Sequence, residues 1–135
     1  MPHSTSYKKE SSNHFEALFE YAMMGIIITD SFGKIGAVNP YALSEFGYTE
    51  MELLGKEIEI LIPERFHEKH VSHRQSYMHD PENRPIGVGM DLFAIKRDGT
   101  EFPVEVSLGN YHTNGDQFMI VFISNISTRK KTEEE

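Results

Sequence analysis

Two dipeptides, Asp98-Gly99 and Asn114-Gly115, constrain this chain more tightly than any other feature of it. Each pairs a residue that tolerates positive φ with a glycine that adopts it freely, which is what tight turns matching the twist of paired strands require. Apolar or β-branched runs flank them: Val88 to Lys96 and Thr100 to Leu108 around the first turn, and Gln117 to Ile126 after the second. Three antiparallel strands are therefore expected, and any fold that contains them must cover at least one face of the resulting sheet.

The N-terminal half supplies the cover. Residues 1–12 are polar and read as a tail. Phe15, Leu18, Phe19 and Ala22 then recur at helical spacing behind Asn13, a residue suited to capping the first free amides. Gly25 to Asp30 and Ile35 to Asn39 read as strands joined by Asp30-Ser31-Phe32-Gly33. Pro40 suits the first turn of a short helix, Tyr41 to Phe46, that stops at Gly47. Thr49 and Glu52 form a capping box for another, which runs to about Leu54. After a connection over Glu57 to Ile62, Pro63 opens the longest helix, Glu64 to Met78, followed by the loop Asp80 to Pro85. Residues 128–135, TRKKTEEE, have the capping residue and charge of a helix just beginning. The order predicts an α+β fold: a five-stranded antiparallel sheet with short helices and one longer helix on one face.

At 135 residues with 39% hydrophobic content, the chain is the size of one domain, spanning 13–127, plus tails. Thirteen basic against 21 acidic residues give a net charge of −8, which argues against nucleic acid and against direct membrane contact. No run approaches the roughly 18 apolar residues of a membrane span. The absence of cysteine excludes disulfides, thiolate metal sites and cysteine-linked chromophores, and suits a cytoplasmic setting. No Ser-His-Asp order, paired carboxylate motif or phosphate-binding loop suggests an enzyme.

Several segments, in order, resemble the PAS family. Phe15 to Glu20 with Gly25 to Asp30 is similar to its first helix and strand. Val38-Asn39-Pro40, Phe46-Gly47-Tyr48 and Leu53-Leu54-Gly55-Lys56 resemble its middle, and Arg97-Asp98-Gly99-Thr100 with Phe102 to Val106 its characteristic hairpin. Asn125-Ile126-Ser127 stands where the family usually shows Asp-Ile-Thr, the cap that transfers signal to an output helix. The resemblance covers about Phe15 to Lys131. It implies a PAS fold with a pocket between sheet and long helix, and a role as a signal-input domain of a bacterial-type sensor. The expected parent is a sensor histidine kinase or a cyclic-dinucleotide enzyme whose output domain lies C-terminal.

At about 100° per residue, Phe66, His70, His73 and Tyr77 fall within a stripe roughly 60° wide on the long helix, with Arg74 and His67 beyond its margin. These four are the candidate pocket residues. The helix together with Ile86-Gly87-Val88-Gly89 resembles the haem-PAS oxygen sensors, in which His70 would match the proximal ligand. Met90 stands where those sensors place an oxygen-binding arginine; a thioether donates no hydrogen bond but can ligate iron weakly. The alternatives are a histidine simply packed in the core, a small-molecule ligand, or a module with no ligand used only for dimerisation or relay. Flavin is disfavoured by the lack of tryptophan. Zinc at His67, His70 and His73 is disfavoured because the three spread about 120° around the helix. In the last strand both parities are apolar, so the sheet's outer face needs a cover, which predicts the N-terminal helix or a homodimer partner.

Overall fold

The computed structural model describes residues 13–79, 84–86 and 92–128, with the backbone alone described at Met78 and at residues 84–86. Residues 13–21 form a helix, α1. Strands β1 (Gly25–Asp30) and β2 (Ile35–Val38) make the first hairpin, and helices α2 (Pro40–Phe46) and α3 (Glu50–Leu53) come next. Two short 3-10 segments, Ile58–Leu61 and Glu64–Phe66, lead into α4 (His67–His79). The remaining strands are β3 (Arg84–Ile86), β4 (Leu92–Ile95), β5 (Glu101–Thr113) and β6 (Asp116–Asn125).

The sheet runs β2-β1-β6-β5-β3, and β4 also pairs with β5. Because β3 lies along Val106 to Leu108 and β4 along Glu101 to Val104, the two share one edge of β5 in succession. The sheet thus has the five antiparallel positions expected. Arg84 and Pro85 are the difference, since they belong to a strand rather than a loop; proline is tolerated there because the strand is at the sheet's edge. The tail over 1–12, the Gly87-Val88-Gly89 segment and the continuation after Thr128 lie outside the described residues.

Local signals account for most boundaries. Asn114 (φ 51) and Gly115 (φ 83) both adopt positive φ in the β5–β6 turn, as the tight hairpin requires. Thr49 accepts from Glu52 N while the Glu52 carboxylate accepts from Thr49 N, so the capping box is formed. Asn39, fully buried, caps α2 by accepting from Ala42 N, with Pro40 at the first helical position.

The inner face of the sheet is set by the register of β1 on β6. Ile27 opposes Val121 and Thr29 opposes Met119, all four buried, and they pack with Val104, Phe102 and Ala94 against Ala42, Phe46, Leu53 and Leu61. Ile28, which the apolar run allowed on either face, points outward and opposes Ile120. The outer face therefore carries Ile26, Ile28, Ile120 and Phe122, all half-buried. The N-terminal helix leaves its own apolar stripe uncovered: Phe15 is 58% and Leu18 71% exposed.

Candidate functional site

The site is organised by a residue that lies in what the sequence presents as a mere connection. Glu59, on the first 3-10 segment between Ile58 and Ile60, is buried, its side chain only 5% exposed. An isolated carboxylate at such a position would be costly, and it is satisfied from α4. Arg74 Nε donates to Glu59 Oε2 and Arg74 Nη2 to Glu59 Oε1, each at 3.0 Å, a bidentate clasp between two buried groups. His70 Nδ1 meets Glu59 Oε2 at 2.7 Å. Burial works to raise the Glu59 carboxyl, but the hydrogen bonds and charge of His70 and Arg74 prevail and lower it to about 2.

Arg74 also reaches the sheet. Its Nη1 donates to the Phe32 carbonyl at 2.7 Å, in the β1–β2 turn that Asp30 shapes by accepting from the amides of Phe32 and Lys34. Gly33 in this turn has φ +81, and a Cβ there would stand 2.5 Å from Arg74 Cζ. One guanidinium thus joins the long helix, the 3-10 segment beneath it and a sheet hairpin.

This cluster corrects the inward face expected for α4. Tyr77 is buried and Phe66 and His70 are half-buried, but His73 is exposed and Arg74 takes its place. Two causes are visible. Residues 64–66 wind as a 3-10 helix at three residues per turn, so Phe66 is out of phase with the α-helical residues. The buried carboxylate holds both His70 and Arg74, which fixes their side of α4 inward. Sequence reasoning missed Glu59; the usable signal was one charged side chain inside the apolar run Ile58 to Ile62.

Tyr77 faces the sheet, where Asn110 Nδ2 donates to its hydroxyl at 3.3 Å. Asn110 opposes Met119 in the β5–β6 register, so this polar pair sits at the margin of the apolar inner face. Met90, the candidate residue opposite His70, lies outside the described residues. His67 Nε2 donates to the Ile62 carbonyl at 2.6 Å, and among the described residues no three histidine or acidic side chains converge on a metal-sized site. The zinc arrangement over His67, His70 and His73 is therefore not formed there.

For haem, the donor chemistry of His70 fits. A ligating imidazole is commonly held by a carboxylate at one ring nitrogen and bound to metal through the other. Glu59 occupies Nδ1, which leaves Nε2 as the ring atom for an iron.

At the far end of the sheet, Asn125 Oδ1 accepts from Ser127 N at 2.8 Å and from Ser127 Oγ at 2.6 Å, and Ile126 N donates to the Pro103 carbonyl at 3.0 Å. Residues 127 and 128 turn into helical conformation directly afterwards.

Comparison with known proteins gives a consistent answer. The PAS domain family matches residues 23–128. Sensor protein FixL of Bradyrhizobium diazoefficiens is 27% identical over 120 residues, covering 89% of this chain and 24% of that protein. Oxygen sensor protein DosP of Escherichia coli is 24% identical over 121 residues, covering 90% of this chain and 15% of that protein. A solved domain of the sensory box sensor histidine kinase/response regulator from Geobacter sulfurreducens superimposes with a TM-score of 0.66 at 26% identity, covering 83% of this chain and 92% of that one. The chain spans about a quarter or less of the length of these curated relatives.

Proposed function

Because this chain belongs to the PAS domain family, we propose that it is the signal-input module of a larger sensor protein, a histidine kinase being the favoured parent. The observation that carries this reading is the Glu59, Arg74 and Phe32 network. It ties α4 to the hairpin of β1, and β1 pairs with β6 all along its length. A ligand that binds better to one position of α4 than to another would bias the sheet through that network, and β6 leads straight to the helical turn at residues 127 and 128. The similarity to the Geobacter sensor domain supports the kinase context. Native mass spectrometry of freshly purified protein tests the sensing half: a retained small molecule supports it, and an empty domain points to a relay module instead.

A second reading is favoured by one contact, His70 Nδ1 on Glu59, and by the similarity to FixL and to the oxygen sensor DosP. In it His70 would hold a haem, which supplies a gas- or redox-responsive iron, while Glu59 fixes the imidazole's orientation and Tyr77 shields the apolar interior. Reconstitution with hemin should give a Soret band that disappears in His70→Ala. No band in the wild-type chain ends this reading and leaves the first intact.

The uncovered stripe of α1 together with the apolar outer face around Ile28 and Ile120 supports a homodimer. Light scattering at high concentration should show twice the monomer mass; a monomer there removes the dimer from the proposal.

A further inference from the structure

Asn125 ends β6 and Glu45 lies near the end of α2, and Asn125 Nδ2 donates to Glu45 Oε1 at 2.5 Å. The other end of the same amide accepts from Ser127 N and Oγ. Asn125 therefore acts in two directions at once, as a donor toward α2 and as an acceptor toward the chain leaving the sheet. A carboxylate at 125 could serve Ser127 but has no proton for Glu45, and its charge would oppose the one already there.

The opposite end of α2 is built in the same way. Asn39 Oδ1 accepts from Ile26 N and Ala42 N, and its Nδ2 donates to the Met24 carbonyl. The helix thus holds the chain through one asparagine where it joins β1 and through another where it leaves β6. Beside Glu45 at the C-terminal end of α2, Phe46 packs on Phe102 with ring centroids 5.4 Å apart, and Arg97 N donates to the Phe46 carbonyl.

We infer that Glu45 is a positioning residue for the exit segment, so that displacement of α2 relative to the sheet passes to residues 125–128 through Asn125. Its importance for signalling rests on the sensor reading; the contact is testable without it. The experiment is a double-mutant cycle on the 135-residue chain, with amide hydrogen exchange at Ser127 and Thr128 recorded by NMR and the urea midpoint measured alongside. Asn125→Asp should lower protection at Ser127 about fivefold while Glu45 is present, a size typical of one lost hydrogen bond plus like-charge repulsion. When Glu45→Gln is already in place, the same change should restore or exceed wild-type protection, because a side-chain amide at position 45 can donate to the new carboxylate. Glu45→Ala should lower protection at Ser127 with the urea midpoint unchanged, since the contact is local. An Asn125→Asp effect of equal size with and without Glu45→Gln overturns the inference, as does unchanged protection in Glu45→Ala. Either result leaves the sensor reading standing, and a domain that binds no ligand leaves this cycle standing.

Discussion

Arg74 clasps Glu59 through two hydrogen bonds of 3.0 Å, with both side chains less than a tenth exposed. A buried pair of this kind matters less for its net energy than for the charge stranded in the interior when one member is lost. Arg74→Met leaves a buried carboxylate with only His70 beside it, and should cost about 3–5 kcal/mol of unfolding free energy. The double change Glu59→Leu with Arg74→Met removes both charges and should recover most of that loss. Urea unfolding of the four proteins measures it; simple addition of the two single effects would show that the groups act independently.

Acid provides a second handle on the same pair. The Glu59 carboxyl sits at about 2 in the folded protein against an ordinary value of 4.5. A lowered folded value means that the stabilisation is fully present above about pH 4.5 and fades as the pH falls toward 2. By linkage the loss across that window is on the order of 3 kcal/mol. Glu59→Gln should be less stable than wild type at neutral pH, and its stability should fall less steeply between pH 4.5 and 2. Parallel pH curves for the two proteins would mean that another carboxylate governs acid unfolding.

What could be read in the sequence was what short-range chemistry decides. The Asp98-Gly99 and Asn114-Gly115 turns and the Thr49–Glu52 box each depend on neighbouring residues, and each stands where expected. The choice of Ile27 over Ile28 for the inner face depends instead on pairing with β6, almost a hundred residues away, which an all-apolar strand does not encode locally. The phase of α4 escaped for a related reason. Its inward face carries a cation, and a charged residue reads as solvent-facing until its buried partner is known.

Gly33 in the β1–β2 turn and Gly55 after α3 can be compared directly. Gly33 and Gly55 share the left-handed region, at φ +81 and +83, so alanine at either position costs about 1 kcal/mol in backbone strain. They differ in surroundings: a Cβ at Gly55 meets nothing within 4 Å, while one at Gly33 collides with the Arg74 guanidinium at 2.5 Å. Gly33→Ala should therefore be the more damaging by about 2 kcal/mol, because it also dislodges Arg74 from Glu59. In an Arg74→Met background the two alanine substitutions should become nearly equal. A Gly33 penalty that persists there would place the obstruction elsewhere in the turn.

Asn39 separates shape from hydrogen bonding. It is fully buried and makes three hydrogen bonds of 2.9 to 3.1 Å, accepting from Ile26 N and Ala42 N and donating to the Met24 carbonyl. Asn39→Asp keeps both acceptor contacts and nearly the same volume, but it replaces a donor with a carboxylate facing a carbonyl in a dry site. Asn39→Ala gives up all three contacts and the cap of α2, and should cost about 2–4 kcal/mol. The aspartate variant should be at least as unstable as alanine at pH 7 and should recover relative to alanine as the pH is lowered, when a protonated carboxyl can again donate to Met24. That crossing, read from urea midpoints at several pH values, is specific to the donor at this position. An aspartate variant as stable as wild type at pH 7 would show that the acceptor contacts to Ile26 N and Ala42 N suffice and that the donation to the Met24 carbonyl contributes nothing.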